Sequence, residues 1–227
     1  MRILLTGGSG LLGQELQRLL GSEGGFIIDA PKHDEMDIAF ESDVQAYLNG
    51  REYDLIIHAA AYTDVAKAEN EGMRDCYLTN VLGTYNLLRF CPRNAKFVYI
   101  SSEYVHNPLN YYSYTKKWAE ELVINSRDNS SPRNYLIIRT LFKPKPWPYR
   151  VAFIDQYTKG DYVDVIAPMI VKEALRSYEN FGYIADLGTG RKTMFQLARR
   201  TNPNVLGNLV EDYESVSNVK LPRDYEV

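Results

Sequence analysis

The sequence predicts an α/β protein built on a parallel, doubly wound sheet, and three observations predict it. Short β-rich runs alternate with longer amphipathic runs along most of the chain. Several of the β-rich runs are continuously apolar, the pattern of strands covered by helices on both faces. The first of them passes through a glycine-rich turn into the first helical run. Alternation of this kind favours a parallel sheet, and right-handed crossovers then place helices on both faces.

The strand-like runs are Arg2–Thr6, Phe26–Asp29, Leu55–His58, Phe97–Ser101, Tyr135–Arg139 and Tyr183–Leu187. Helix-like runs fall at Leu11–Leu20, Ser42–Asn49, Gly72–Phe90, Tyr112–Ser126, Val163–Ser177 and Thr193–Arg200. Gly, Pro, Ser and Asn content marks Gly21–Gly25, Asp128–Pro132 and Lys143–Pro148 as loops. The last is too rich in proline for a helix or a central strand. It marks a crossing between a main portion, residues 1–142, and a smaller C-terminal portion, 143–227. After Asn202 the periodicity fades, and the tail from Val205 to Val227 is polar and without clear pattern.

A chain of 227 residues suits one large α/β domain with a small appendage. The net charge of −3 argues against a nucleic-acid binder. No apolar run approaches the length of a membrane span. The apolar N-terminal stretch is short and runs straight into a glycine turn, unlike a signal peptide. Cys76 and Cys91 fall on one predicted helix, 15 positions apart. Roughly 22 Å would separate them at the helical rise, beyond the about 7 Å a disulfide allows. Both read as free thiols in a reducing, cytoplasmic setting. His33, His58 and His106 are scattered, and no His/Cys cluster has metal-ligand spacing.

Gly7, Gly10 and Gly13 follow the first predicted strand and open the first predicted helix. That context marks a dinucleotide-binding turn of the Rossmann type. The first glycine permits a tight turn, the second lets the backbone approach a pyrophosphate, and the third lets helix and strand pack closely. The helix N-terminus offers free N–H groups to the phosphates. Asp29, closing the second strand, stands where an acidic residue would bind the adenosine ribose. Lys32 and His33 could instead face a 2′-phosphate, so NAD and NADP both stay open. Asp37 and Ile38 could hold the adenine edge.

A second pattern lies in Tyr111-Tyr112-Ser113-Tyr114-Thr115-Lys116-Lys117. On a helix Tyr112 and Lys116 share one face. An ammonium beside a phenol stabilises the phenolate and lowers its pKa, making the tyrosine a usable proton donor or acceptor. Gly188-Thr189-Gly190-Arg191-Lys192-Thr193 lacks P-loop spacing and reads as a helix-entry turn. Arg191, Lys192, Arg199 and Arg200 form either a solvated basic face or a contact for a substrate diphosphate.

Several segments, taken together, resemble the extended short-chain dehydrogenase/reductase family, closest to the dTDP-4-dehydrorhamnose reductases and their sugar-nucleotide relatives. They are Thr6-Gly7-Gly8-Ser9-Gly10-Leu11-Leu12-Gly13, His58-Ala59-Ala60-Ala61-Tyr62-Thr63-Asp64-Val65, Thr79-Asn80-Val81, Ile100-Ser101-Ser102-Glu103-Tyr104-Val105 and the Tyr112–Lys116 pair. The resemblance covers roughly residues 1–140. It implies a Rossmann domain with an NAD(P) cofactor, a nucleotide-linked keto sugar as substrate, and a small C-terminal substrate-binding portion. It implies Ser102, Tyr112 and Lys116 as the catalytic residues: Tyr112 donates a proton as hydride arrives, Ser102 orients the carbonyl oxygen, and Lys116 holds the nicotinamide ribose and lowers the tyrosine pKa. Cofactor contacts are implied for Gly7, Ser9, Gly10, Leu11, Leu12, Gly13, Asp29, Asp37, Ile38, Ala59, Ala60, Ala61, Tyr62, Asn80, Ser101, Tyr112 and Lys116. Tyr104 is implied on the substrate side, Arg139 ends the fifth strand on the substrate side of the sheet, and Glu103 is either a substrate-side acid or a salt-bridged surface residue. Dehydratases of the family carry two adjacent acids after the Ser/Thr; Tyr104 stands in place of the second, which suits carbonyl reduction. The segment from Ser102 to Tyr112 is shorter than usual in the family, as is the region after Arg139. An epimerase, a bifunctional epimerase/reductase and a non-catalytic NAD(P)-binding regulatory subunit are the alternatives. Family members often pair through helices, implying a possible homodimer.

Overall fold

The computed structural model describes residues 1–126, 134–176 and 182–224. In chain order the first half comprises β1 (Arg2–Thr6), α1 (Leu11–Glu23), β2 (Ile27–Asp29), α2 (Glu41–Leu48), β3 (Leu55–His58), α3 (Val65–Ala68), α4 (Met73–Tyr77), α5 (Gly83–Phe90) and β4 (Lys96–Ile100). Then come α6 (Tyr111–Asn125), β5 (Tyr135–Arg139), β6 (Phe142–Lys143), β7 (Val151–Phe153), β8 (Tyr157–Thr158) and β9 (Asp161–Tyr162). The chain closes with α7 (Val163–Leu175), β10 (Tyr183–Asp186), β11 (Lys192–Thr193), α8 (Met194–Arg199), β12 (Leu206–Asn208) and α9 (Val210–Ser217).

Six strands form one parallel sheet in the order β10-β5-β4-β3-β1-β2. The continuously apolar strands divide their side chains between two cores, because successive residues point to opposite faces. Ile3, Leu5, Ile57, Val98 and Ile138 pack with Leu16 and Leu20 of α1 and Ile166 and Ile170 of α7. Leu4, Ile56, Phe97, Tyr99 and Ile137 pack with Val44 of α2, Leu87 of α5 and Val123 of α6. Thus α7 and β10, both beyond residue 142, belong to the layers of the main sheet. A third core joins Leu141, Trp147, Tyr162, Leu197, Val210 and Leu221 to Tyr104, which sits just past β4.

Three local expectations change. Helix α1 runs on to Glu23 through the segment read as a loop, and ends at Gly24 and Gly25 (φ +72° and +78°), conformations that suit glycine. The run Gly72–Phe90 is not one helix: a π-helical turn at Leu78–Leu82 separates α4 from α5. The tail after Val205 carries β12 and α9, and buries Val210, Val219 and Leu221. The expected loop Asp128–Pro132 and Ser177, the last residue of an expected helix, lie outside the described residues.

Helix α6 begins at Asn110 with a reciprocal cap. The Asn110 side chain accepts from Ser113 N at 2.9 Å, and Asn110 N donates to Ser113 Oγ at 3.2 Å. This fixes the first turn, which carries Tyr112.

Candidate active site

A cleft of about 540 Å³ opens at the carboxyl ends of β1, β3 and β4, where doubly wound sheets bind ligands. Its floor is the glycine turn. Gly7 holds φ +73°, and a β-carbon there would lie 2.6 Å from Ala60 N. A β-carbon at Gly13 would lie 2.1 Å from Gly7 O, so only glycine lets α1 meet β1 this closely. Gly10 caps α1 without a side-chain hydrogen bond, leaving first-turn N–H groups for an anion.

Ala59, Ala60 and Ala61, following β3, line the cleft beside the glycine turn. Their position is set from below by His58, which is 1% exposed. Thr84 donates its single hydroxyl proton to Asn80 O at 2.7 Å. It must therefore accept from His58 Nε2 at 3.0 Å. His58 Nδ1 is then the acceptor for the Thr6 hydroxyl at 2.8 Å, which itself accepts from Ala60 N at 3.3 Å. Burial, with the nearby Lys116, pushes the His58 pKa down to about 3, so the ring is a neutral strut.

Ser102 and Tyr112 both line this cleft, and Ser102 lies near enough to the Tyr112 phenol to stabilise its phenolate; its Oγ accepts from Tyr104 N at 3.2 Å. Tyr104 packs edge-to-face on Tyr112, with ring centroids 6.3 Å apart. Lys116, one turn after Tyr112, is 2% exposed and donates from Nζ to Ile100 O at 2.8 Å. Burial pushes its pKa down to about 7. The expected lowering of the Tyr112 pKa by Lys116 is not found. Burial pushes the phenol up, and the nearby Ser102 works against that rise. The spacing does place both side chains on one face, but the ammonium turns inward to β4 rather than toward the phenol.

Most expected cofactor contacts line the cleft: Gly7, Ser9, Gly10, Leu11, Leu12, Gly13, Asp37, Ile38, the three alanines, Ser101, Tyr112 and Lys116. Asp29, Tyr62 and Asn80 do not. Asp29 Oδ2 is occupied by Arg2 Nη2 at 2.8 Å and by the Tyr53 hydroxyl at 2.8 Å. Asn80 is buried in the π-helical turn, where it accepts from Tyr62 N at 2.8 Å and donates to Tyr62 O at 3.2 Å. It shapes the cleft wall by gripping the backbone of Tyr62. Pro31, His33 and Met36 line the β2 end instead.

On the substrate side, Tyr104 lines the cleft while Glu103 and Arg139 face a separate cavity of about 230 Å³ with His106, Asp186 and Arg191. Glu103 accepts from Thr158 Oγ1 at 2.6 Å and Lys159 N at 3.1 Å; burial raises its pKa. Arg139 grips Glu120 of α6 with two nitrogens, at 3.0 and 2.7 Å. The basic group near α8 is also engaged internally. Lys192 is buried and donates to Gly160 O, Arg200 pairs with Asp161, and Arg191 pairs with Asp224. Sequence reasoning missed Lys143 and Tyr149 in the cleft wall, which come from a segment whose signal was proline content alone.

The residues present fit a dinucleotide. The glycines admit a backbone-close ligand, and the buried hydroxyls of Ser101 and Thr140 line the cleft with no hydrogen-bond partner among the described residues. Among those residues no group of His, Cys, Asp and Glu is placed to hold a metal, and no helix is long and apolar enough to cross a membrane. Cys76 and Cys91 are free and buried.

A doubly wound sheet closing on such a cleft is the architecture of the extended short-chain dehydrogenase/reductases. Within that class the chain belongs to the RmlD substrate binding domain family, which matches residues 1–167. It is 29% identical over 194 residues to the dTDP-4-dehydrorhamnose reductase of Mycolicibacterium smegmatis, covering 74% of this chain and 55% of that protein. It is 31% identical over 154 residues to the enzyme of the same name from Aggregatibacter actinomycetemcomitans, covering 61% and 50%. The chain thus spans about half the length of the curated relatives it matches. The crystal structure of dTDP-4-dehydrorhamnose reductase from Bacillus anthracis, in complex with NADP, superposes with a TM-score of 0.79 at 26% identity, covering 93% of this chain and 86% of that one.

Proposed function

We propose that this chain reduces the keto group of a nucleotide-linked sugar, with NADPH as the reductant. The observation that carries the reading is that Ser102 and Tyr112 line one cleft with the glycine turn. A bound nicotinamide would supply the hydride. Ser102 and Tyr112 bind the carbonyl oxygen, and Tyr112 delivers its proton to that oxygen as charge develops there. The raised phenol pKa keeps the proton on Tyr112 until then. Positioned proton donation of this kind contributes typically 10²–10⁴-fold to rate, and preorganised hydrogen bonds add to it. Lys116 holds the ribose hydroxyls.

Two placements refine the reading. Asp29 is occupied by Arg2 and Tyr53, and His33 lines the β2 end of the cleft; this favours a 2′-phosphate, hence NADPH over NADH. Glu103 faces away from the cleft, and Asp37, also at the β2 end, is the carboxylate that lines it among the described residues. No acid among the described lining residues then stands beside Ser102 to take a carbon-bound proton, which argues against dehydration and against epimerisation next to a carbonyl. Two copies are proposed to pair through helices; Tyr85 of α5 and Tyr114 and Trp118 of α6 stay exposed, and light scattering measures the mass.

The test combines purified protein, NADPH or NADH, and a panel of nucleotide-linked 4-keto sugars, followed by loss of reduced-nicotinamide absorbance. Turnover with one of them, lost in Tyr112→Phe and Ser102→Ala, is expected. Tight NADPH binding with no oxidation across the panel would sink the reductase reading and promote a non-catalytic, cofactor-binding role.

A further inference from the structure

Lys116 is a buried amine whose neighbours are already engaged elsewhere. On its own helix, Glu120 lies one turn on but is held by Arg139, and Tyr112 lies one turn back, kept a neutral phenol by burial. From β3 it faces the neutral His58, whose ring nitrogens are on Thr6 and Thr84. From α4 it faces Cys76, whose thiol is pushed up by burial and so stays neutral. Its Nζ donates to Ile100 O at 2.8 Å. The remaining neighbour is Tyr99 of β4. Lys116 Nζ stands over the face of this ring, 4.2 Å from its centroid, and the ring is fully buried. An aromatic face attracts an ammonium, most strongly where water is excluded.

We propose that the Tyr99 ring is a positioning residue for Lys116: its face holds the ammonium charged and aimed along β4 before any ligand arrives. The proposal rests on the reading of Lys116 as the ribose-holding group, but it makes its own claim about the ligand-free protein. Burial pushes the Tyr99 phenol well above its ordinary range, so the ring is the neutral phenol throughout, and its hydroxyl is dispensable to the contact. Because burial, partly offset by Glu120 and Cys76, brings Lys116 to about 7, a modest attraction decides whether the amine is charged in neutral solution. At a desolvated site the attraction corresponds to a shift of roughly one to one and a half pH units.

The test is an NMR titration of Lys116, carrying a ¹³C label at the carbon bearing its amine, in ligand-free full-length protein. Tyr99→Phe is expected to keep the midpoint within about half a unit, because the face remains. Increasing fluorination of that phenylalanine ring withdraws the negative face while keeping its shape, so folding is preserved. The midpoint should then fall stepwise, by roughly one to one and a half units in total. Tyr99→Leu should match the most fluorinated ring. A midpoint indifferent to fluorination would overturn the proposal. The titration needs neither cofactor nor turnover. A protein inactive toward every sugar yet showing the stepwise fall would keep this inference and lose the reductase reading, and an active protein with an unmoved midpoint would do the reverse.

Discussion

Replacing Arg139 by methionine tests whether this residue is structural or substrate-facing. Its guanidinium bonds both oxygens of Glu120, and the Glu120 side chain is 2% exposed against 22% for Arg139. Removing one partner of a buried pair strands the other charge and costs about 3–5 kcal/mol. Because Arg139 keeps some contact with water, the lower end, about 3 kcal/mol, is expected. With an unfolding entropy near 2.1 cal/mol/K per residue, that corresponds to a fall in Tm of about 6 °C for this chain. Circular dichroism melts of Arg139→Met, Glu120→Met and the double variant supply the measurement. The double variant should return to within about 1 kcal/mol of the parent or exceed it, because an apolar pair of similar volume replaces the ionic one. If Arg139→Met melts within about 2 °C of the parent while the KM for the sugar rises, the reasoning fails and Arg139 serves the substrate.

Further outcomes follow from other positions. Gly13→Ala places a β-carbon 2.1 Å from Gly7 O, so NADPH affinity, read by fluorescence titration, should drop about tenfold or more, the equivalent of 1.4 kcal/mol of strain. Lys116 has a folded pKa of about 7, below its unfolded value near 10.4. The unfolded chain therefore binds more protons between those limits, and the parent gains stability as pH rises through the window. Lys116→Met removes that dependence: about 3–4 kcal/mol is recovered at pH 7, the lower figure with the Tyr99 contact counted, less about 1–3 kcal/mol for the orphaned Ile100 carbonyl. In urea melts it should be the more stable protein at pH 7 and lose that advantage by pH 10. His33→Asp should shift the NADPH-to-NADH affinity ratio toward NADH by roughly tenfold, measured by calorimetry; an unchanged ratio would place the 2′-phosphate elsewhere.

What could be read from the sequence was what local pattern encodes. β1, β3 and β5 start and stop where their apolar runs do, and the glycine turn announced itself by spacing. Side chains whose role depends on a distant partner were not legible. Asp29 looked like a ribose ligand because Arg2 and Tyr53, 27 and 24 positions away, leave no local trace. The grip of Arg139 on Glu120, 19 positions removed, likewise leaves no local trace. The C-terminal lobe was illegible for another reason. Its strands are two or three residues long, too short for a period, and they exist because distant segments pair.

The exit from β4 sets a limit on how this protein can be altered. Ser102 and Tyr104 turn one way, into the cleft, while Glu103 between them turns the other way and anchors residues 158–159. Tyr104 also lies in the core of the C-terminal lobe. Three consecutive residues therefore belong at once to the chemistry and to the seat of the lobe. A chimera that grafts a relative's C-terminal lobe onto this frame must bring the relative's β4 exit with it, or the graft will disturb the hydroxyl pair it was meant to leave alone.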